Sequence, residues 1–403
     1  MNTAVRTIIP LLTLIFSSIV FADIPNDNVS KLDNKYRNHY LYRAQLGETP
    51  ESIAFDFLKE AADKTKRQQF YTYNHIAAND TAKTVKPNQI FRLPVDWMYL
   101  KPVNAIMLST KGNVQVIHQN TQLPLSIIPE GSTIKTGKNS FALIEFPDRS
   151  LLTVSPDSEV LLATVRRYAK SDIFNIHIHI EQGRAESQVK PLHHPSSDYT
   201  VKSKRLSTAV RGTRFSVSDM ITGYATTEVL EGGVQLNTIT NQDNLILVSK
   251  GLGVYTKDSK LPTLTALLPA PQWDCTKIEG ITIDQPLPII NQATHLFKLN
   301  IYSESSLITP LSIDQLNTTV PDIQTLTTQP ILPAELKEGT YTVQVSAVDQ
   351  YGLQGFNSVQ RLSIKNKPPT TPNWLYWIKN NKTQSWVLLP LPNTHFKQVF
   401  CLK

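Results

Sequence analysis

Ile173-Phe174-Asn175-Ile176-His177-Ile178-His179-Ile180 decides the fold class of the middle of this chain. Isoleucine recurs at every second position, with Asn175, His177 and His179 in the gaps. Successive side chains of a strand leave opposite faces, so one face of this segment is apolar and the other polar. The two imidazoles leave the polar face about 7 Å apart. A His-x-His pair holds a transition metal only where a third ligand converges. No Cys is near, and Glu181 adds one generic carboxylate. The expectation is isoleucine toward the core, histidine toward water, and no metal.

The same alternation, rich in β-branched residues, recurs on both sides at 113–118, 141–146, 151–155, 160–164, 215–217, 225–230 and 245–248. Short strands at close intervals, punctuated by turn signals, predict an all-β unit over 101–261. Three turns share a form: Glu181-Gln182-Gly183, Glu231-Gly232-Gly233 and Ser249-Lys250-Gly251. Glycine in third place accepts positive φ, which suits hairpins closed by a bulge. Pro262, Pro269 and Pro271 mark 262–271 as a linker. Beyond it, 297–301 and 340–348 alternate cleanly, so 272–366 reads as a C-terminal β-sandwich. The tail 367–403 carries prolines with Trp374, Trp377 and Trp386, and reads as a final hairpin or a truncated module.

Toward the N-terminus the pattern changes. Residues 39–45 form a strand candidate with Tyr40, Tyr42 and Ala44 on one face. Gly47-Glu48 turns the chain, Thr49 caps a helix, and Pro50 fits its first position. Ile53, Phe57, Leu58 and Ala61 follow helical spacing. Lys64-Thr65-Lys66-Arg67 reads as a polar break. A second helix through Phe70, Tyr71 and Ile76 is expected to end near Asn79-Asp80, and a second strand runs over 90–93. The order is βααβ over 39–100.

The chain has 403 residues, which favours two or three domains. With 40% apolar and 18% charged residues it is neither a disordered polyelectrolyte nor a polytopic membrane protein. The net charge of +7 is spread thinly; its densest basic patches are 64–67 and 202–205, so a nucleic-acid stripe is excluded. Arg6 followed by an apolar run over 8–21 and Ala22-Asp23 reads as a secretory signal peptide, 1–22, with a polar linker at 23–38. The run is too short, and interrupted by Pro10, to span a bilayer, so no stable membrane span is expected after cleavage. An oxidising compartment suits the two cysteines, Cys275 and Cys401. Bridged, they close the C-terminal region, with roughly 5 kcal/mol as the chain-entropy ceiling.

Three resemblances follow from quoted residues. Tyr42 to Thr49, Ser52-Ile53-Ala54, Asn74-His75-Ile76, Lys86-Pro87-Asn88-Gln89-Ile90 and Leu93-Pro94 together resemble a LysM module. Its turns here are Gly-Glu-Thr-Pro and Pro-Asn-Gln-Ile, and an insertion lies around 61–67. The resemblance implies a shallow groove for N-acetylated glycan, peptidoglycan above all. Main-chain groups of Gly47, Glu48, Thr49 and Pro50 would face Asn74, Ile76, Pro87, Asn88 and Gln89. Gly131 to Ala142, Pro147-Asp148-Arg149-Ser150, Ser155-Pro156-Asp157-Ser158, Ile180 to Ala185, Val210-Arg211-Gly212-Thr213-Arg214-Phe215-Ser216-Val217 and Val229 to Val234 resemble the FecR-type periplasmic domain. Members of that family resemble one another in a cytoplasmic anti-sigma segment before a membrane helix; with 1–22 read as a signal peptide no such segment is expected here, and sigma-factor control is not carried over. Glu338-Gly339-Thr340-Tyr341 and Val348-Asp349-Gln350-Tyr351-Gly352 resemble an immunoglobulin or fibronectin type III repeat, with Tyr341 as its corner tyrosine.

The expected fold class is therefore multidomain and mainly β: a small βααβ LysM-like module, a central all-β FecR-like domain and a C-terminal β-sandwich. Arg211 and Arg214 flank a Gly-Thr turn, either as an anion clamp or as internal salt bridges. No nucleophile elbow, zinc helix, phosphate loop or dinucleotide fingerprint occurs, so neither an enzyme nor a cofactor is expected. The leading expectation is a periplasmic envelope protein that binds peptidoglycan while its β domains act as a scaffold for an envelope protein partner. The alternative is a signalling input of FecR type; a wall-modifying enzyme is a third reading.

Overall fold

The computed structural model describes residues 38–239, 245–257, 261–290, 296–304, 313–316, 319–367, 375–379, 386–390 and 396–402. The expected signal peptide, and the linker but for Asn38, lie outside the described residues. Among the described residues no helix is long and apolar enough to cross a membrane.

The first unit has the βααβ order. Strands β1 (His39–Arg43) and β2 (Ile90–Pro94) pair antiparallel, His39 opposite Pro94 and Arg43 opposite Ile90. Helix α1 (Pro50–Phe57) opens on a reciprocal cap: the Ser52 amide donates to the Thr49 hydroxyl at 3.0 Å, and the Thr49 amide to the Ser52 hydroxyl at 2.9 Å. Helix α2 spans Lys64–Tyr73, so the tetrad read as a polar break is its first turn. Asp63 caps it by accepting the Thr65 amide at 2.7 Å, and the lysines stay exposed, where polarity costs nothing. It also ends sooner than expected, at Asn74; the Asn79-Asp80 turn is a separate 3-10 turn, Ala78–Asp80. Ile53, Phe57, Phe70, Phe91 and Leu93 form the core, which Ala169 and Ile173 of the next unit complete.

From Leu100–Pro102 to Thr263–Ala266 the strands close into a barrel whose wall falls into two sheets. Its central member is the strand Phe174–Gln188. The first half pairs with Glu159–Tyr168 and, in parallel, with Asp198–Lys202. The second half belongs to the other sheet, between Leu151–Val154 and Arg214–Asp219. Ile176, Ile178 and Ile180 are buried with Leu162, Tyr199 and Val201, as the alternation predicts.

The three glycine turns are not hairpins. Gly183, at φ +86°, lies inside one continuous strand at the point where it changes sheet. Tyr224–Glu231 pairs with Arg214–Asp219, but Gly233–Thr238, just past the second turn, pairs with Leu206–Val210 in the other sheet. The third turn reverses that step: Ile246–Ser249 pairs with Gly233–Thr238, and Leu252–Lys257 with Tyr224–Glu231. Each turn is a corner between sheets, where positive φ redirects the strand. In the second it is Gly232, at φ +76°, and not Gly233, that takes the left-handed conformation.

The expected linker 262–271 contains the strand Thr263–Ala266, which pairs with Leu252–Lys257 and so belongs to the barrel. Beyond it lies a six-stranded sheet: Ile281–Thr282, Phe396–Leu402, Gln354–Lys367, Gly339–Val348, Leu296–Ser303 and Ile323–Thr327, in that order. The tail thus supplies a strand of this sheet, and Leu375–Lys379 with Trp386–Pro390 makes a separate hairpin. One face carries Phe297, Leu299, Ile301, Val343 and Val345, covered by Ile278, Ile283, Leu332 and Leu336. Cys275 is bonded to Cys401 across 126 positions, with Cα atoms 5.6 Å apart. The Tyr341 hydroxyl donates to the Lys337 carbonyl at 3.0 Å. Among the described residues, the second sheet on this core is only two-stranded: Gln272–Trp273 pairs with Ile289–Ile290, and Trp273 and Ile289 pack against the core. The other face is polar, and it meets the barrel.

Candidate functional site between the barrel and the C-terminal sheet

The residues expected to hold glycan come together around the loop before α1 and the segment before β2. The loop and the segment are bonded to one another: the Val85 amide donates to the Glu48 carbonyl at 2.9 Å, and the Glu51 amide to the Thr81 carbonyl at 3.0 Å. Asn88 and Gln89 are engaged by Ala44, whose carbonyl accepts the Asn88 amide at 2.8 Å and whose amide donates to the Gln89 carbonyl at 2.9 Å. The Glu48 carboxylate accepts from the Tyr42 hydroxyl and from the Gln45 amide at 2.7 Å. Burial and that carboxylate push the Tyr42 hydroxyl pKa far up. The Asn74 side chain clips α2 to β2: its Oδ1 accepts the Arg92 amide at 2.7 Å and its Nδ2 donates to the Arg92 carbonyl at 3.1 Å. The Ile76 amide donates to the Tyr71 carbonyl at 2.8 Å. Gly47, at φ +90°, and Pro50 shape the turn, Thr49 caps α1, and Pro87 precedes the bonded pair Asn88-Gln89.

The histidine pair is divided. His177 Nε2 lies 2.7 Å from Asp198 Oδ2. Burial, with Lys202 beside it, pushes the His179 imidazole pKa down despite Glu181. Among the described residues no three His, Cys, Asp or Glu side chains converge to hold a metal. Arg211 and Arg214 also part company. Arg211 donates to the carbonyls of His194 and Pro195, whereas Arg214 Nε reaches Glu186 Oε1 at 2.7 Å.

Arg214 leads to a feature that strand-by-strand reading misses. The outward face of the second barrel sheet carries Arg184, Glu186, Arg214, Ser216 and Glu228. Arg184 Nη1 lies 2.9 Å from Glu228 Oε1, and these side chains are 10% and 0% exposed. The Thr226 hydroxyl and the Gln354 amide, each at 3.2 Å, donate to the same oxygen. Gln354 is in the C-terminal sheet, so Glu228 is bonded across the junction. Burial works against ionisation of Glu186, but Arg214, Lys298 and Arg184 together outweigh it and hold its carboxyl below the ordinary range.

Lys298 enters from the other side. It alternates with the buried Phe297 and Leu299 and so leaves the polar face of its sheet. Its Nζ lies 3.1 Å from Gln354 Oε1. Beside it, Asn300 Nδ2 donates to Gln344 Oε1 at 2.9 Å, and Gln324 Nε2 to Asn300 Oδ1 at 2.6 Å. Desolvation and the neighbouring Arg184 and Arg214 push its amine pKa down to about 7, against the pull of Glu186 and Glu228. The side chain is set deep among protein atoms yet keeps some accessible surface, because it lines a cleft.

This cleft of about 780 Å³ runs between the two units. Arg184 and Lys298 line it together with Ile221, Tyr224, Leu326 and Tyr351. Tyr351 stacks on Tyr255 with ring centroids 3.9 Å apart and planes at 7°, and Tyr224 meets both rings edge-on. Leu230, Leu267 and Leu353 form an apolar seam between the units. A cleft of this size, mostly apolar with a few convergent polar groups, has the construction of a small-molecule site.

Comparison with known proteins bears on the barrel. No curated protein matches. Two solved chains, both described as a putative anti-sigma factor from Parabacteroides distasonis ATCC 8503, are 13% identical to this one and cover 33% of it, with TM-scores of 0.28 and 0.27. This chain spans 59% of the length of each. Residues 132–235 match the family described as FecR protein. That segment holds Arg184, Glu186, Arg214 and Glu228, the barrel's share of the charged cluster around Lys298. Within the barrel, then, it is residues 132–235 that are similar to the FecR family.

Proposed function

We propose that the chain is a regulatory input protein of the bacterial cell envelope, acting in the periplasm without catalysis. Its FecR domain receives a partner, and the C-terminal sheet is coupled to that domain. The observation that supports this reading is the FecR match on the part of the barrel that carries the interdomain charges. The Arg184–Glu228 pair lies within the barrel, and the Gln354 amide that donates to Glu228 at 3.2 Å ties it to the C-terminal sheet, so another placement of the two units would take that donor from a buried carboxylate. An event on the barrel wall then has a defined route to the C-terminal sheet.

Photo-crosslinking in intact cells, from Leu247 on the barrel and Leu326 on the C-terminal sheet (67% and 57% exposed), tests it. The expected result is one envelope protein captured reproducibly and lost on deletion of its gene. Recovery of only abundant, position-independent products overturns the reading.

A second reading has its own support. The βααβ order, the antiparallel β1–β2 pair and the capped entry to α1 favour a LysM-like unit, with peptidoglycan as its ligand. Against it stand the hydrogen bonds that join the two loops of the expected groove. Sedimentation of the full chain with purified peptidoglycan decides the matter: co-sedimentation competed by soluble N-acetylated oligosaccharide supports it, and none above a β-glucan control defeats it.

A further inference from the structure

Among the described residues, the charged cluster beside the cleft sets three cations, Arg184, Arg214 and Lys298, against two carboxylates, Glu186 and Glu228, while Lys111 and Asp322 pair separately across the junction at 3.1 Å. Each arginine has its own carboxylate, at 2.9 Å and 2.7 Å. Lys298 is the surplus charge: the partner drawn to its Nζ is a neutral amide oxygen, that of Gln354. The cleft it lines also presents large apolar groups to solvent, Ile221 at 84% exposure and Leu326 at 57%. A deep cation without a carboxylate of its own, next to apolar walls, is incomplete in a definite chemical sense. It lacks one negative charge carried on an apolar body.

We propose that the cleft between the barrel and the C-terminal sheet binds a small amphipathic organic anion, a carboxylate with an aliphatic or aromatic body, whose charged group meets Lys298. The volume of about 780 Å³ suits such a molecule and is too small for a folded partner. The remaining charges of the lining do not reverse the preference. Asp157 is offset by Lys138, and Asp349 Oδ1 already accepts the amides of Tyr351 and Leu353, each at 2.9 Å. A cationic ligand would meet Lys298 and Arg184 with like charge, and a neutral one would leave the surplus unmatched. The proposal is independent of the regulatory reading, since it concerns binding and not the consequence of binding.

The test uses the full chain with 8-anilinonaphthalene-1-sulfonate as fluorescent probe, octanoate as competitor and octanol as its uncharged counterpart. The expected result is saturable one-site binding, displaced by octanoate about tenfold more effectively than by octanol, as a charge-assisted contact requires. Lys298→Met should weaken octanoate about tenfold, and Leu326→Ser, an exposed change that leaves the fold alone, a few-fold. Octanoate affinity should also fall as pH rises from about 6 to 9, since Lys298, faced by Arg184, Arg214, Glu186 and Glu228, loses its proton there. Equal displacement by octanoate and octanol, or Lys298→Met binding like the parent, means dye on apolar surface only and overturns the proposal. So does an affinity independent of pH.

Discussion

Replacing Lys298 with Met should stabilise the protein. Holding a lysine amine near 7 when its ordinary value is 10.5 costs the folded state about 4–5 kcal/mol below pH 7. Removing the amine relieves that cost and forfeits one hydrogen bond to Gln354, worth about 1 kcal/mol. The two arginine–carboxylate pairs remain, now balanced two against two. The net expectation is a gain of about 2–3 kcal/mol at neutral pH, after allowing for imperfect packing of the thioether. The sign of its pH dependence is fixed. Between about 7 and 10.5 the unfolded lysine keeps a proton that the folded one has released, so the parent gains stability as pH rises. The advantage of Lys298→Met is therefore largest below pH 7 and should shrink by about 2–3 kcal/mol between pH 6 and 9. Urea unfolding of both proteins across that range measures it, because the titrating groups that do not interact with Lys298 cancel in the difference. Arg184→Met is the contrasting variant: it strands Glu228, fully buried, and should cost about 3–5 kcal/mol. If Lys298→Met is instead destabilising at pH 7 and tracks the parent at every pH, Lys298 is not the surplus charge.

Three further expectations rest on single features. Replacing Cys275 and Cys401 with Ser should lower stability by about 3–5 kcal/mol, read from the urea midpoint with and without reductant; a parent insensitive to reduction speaks against the account. Gly183→Ala combines a left-handed φ with a new Cβ 2.7 Å from the Ser158 Cα, and should cost about 2–3 kcal/mol in thermal or urea unfolding. Asn74→Ala loses the clip between α2 and β2 and should cost about 1–2 kcal/mol, with faster amide exchange at Arg92 as its local signature.

How much of this was legible in the sequence depends on what alternation encodes. Period two names the two faces of a strand and says which is apolar. It placed Ile176, Ile178 and Ile180 in the barrel core and Leu299 and Ile301 in the C-terminal core. The cap at Thr49 and the spacing of the apolar residues likewise gave the βααβ order. Corners between sheets were not legible, because Gly183, Gly232 and Gly251 supply the same backbone freedom to a hairpin and to a strand that changes partners. Only the pairing of strands distant in sequence separates the two cases.

The junction was hidden for a related reason. A polar face signals water only if nothing covers it, and alternation is silent on that point. Arg184, Glu186, Arg214, Ser216 and Glu228 alternate with Ala185, Phe215 and Val229 as any solvent-facing set would. Yet Arg184, Ser216 and Glu228 are buried, and so are Thr342, Gln344 and Ser346 opposite them. One compositional trace was available. A wetted strand face usually carries Lys and Glu, whose long chains reach solvent, whereas the C-terminal face carries chiefly short hydroxyls and amides, Asn300, Thr342, Gln344 and Ser346 among them. Ser218 and Thr226, bonded at 2.6 Å between neighbouring strands, belong to the covered face of the barrel. Short polar groups permit two sheets to approach: Ser218 and Thr226, and Asn300 and Gln344, are bonded within their own sheets, and the Gln354 amide reaches Glu228 across the gap. The few charges left among them must then be paired or meet a ligand, and Lys298, with an amide where a carboxylate is needed, is the one that asks for a further partner.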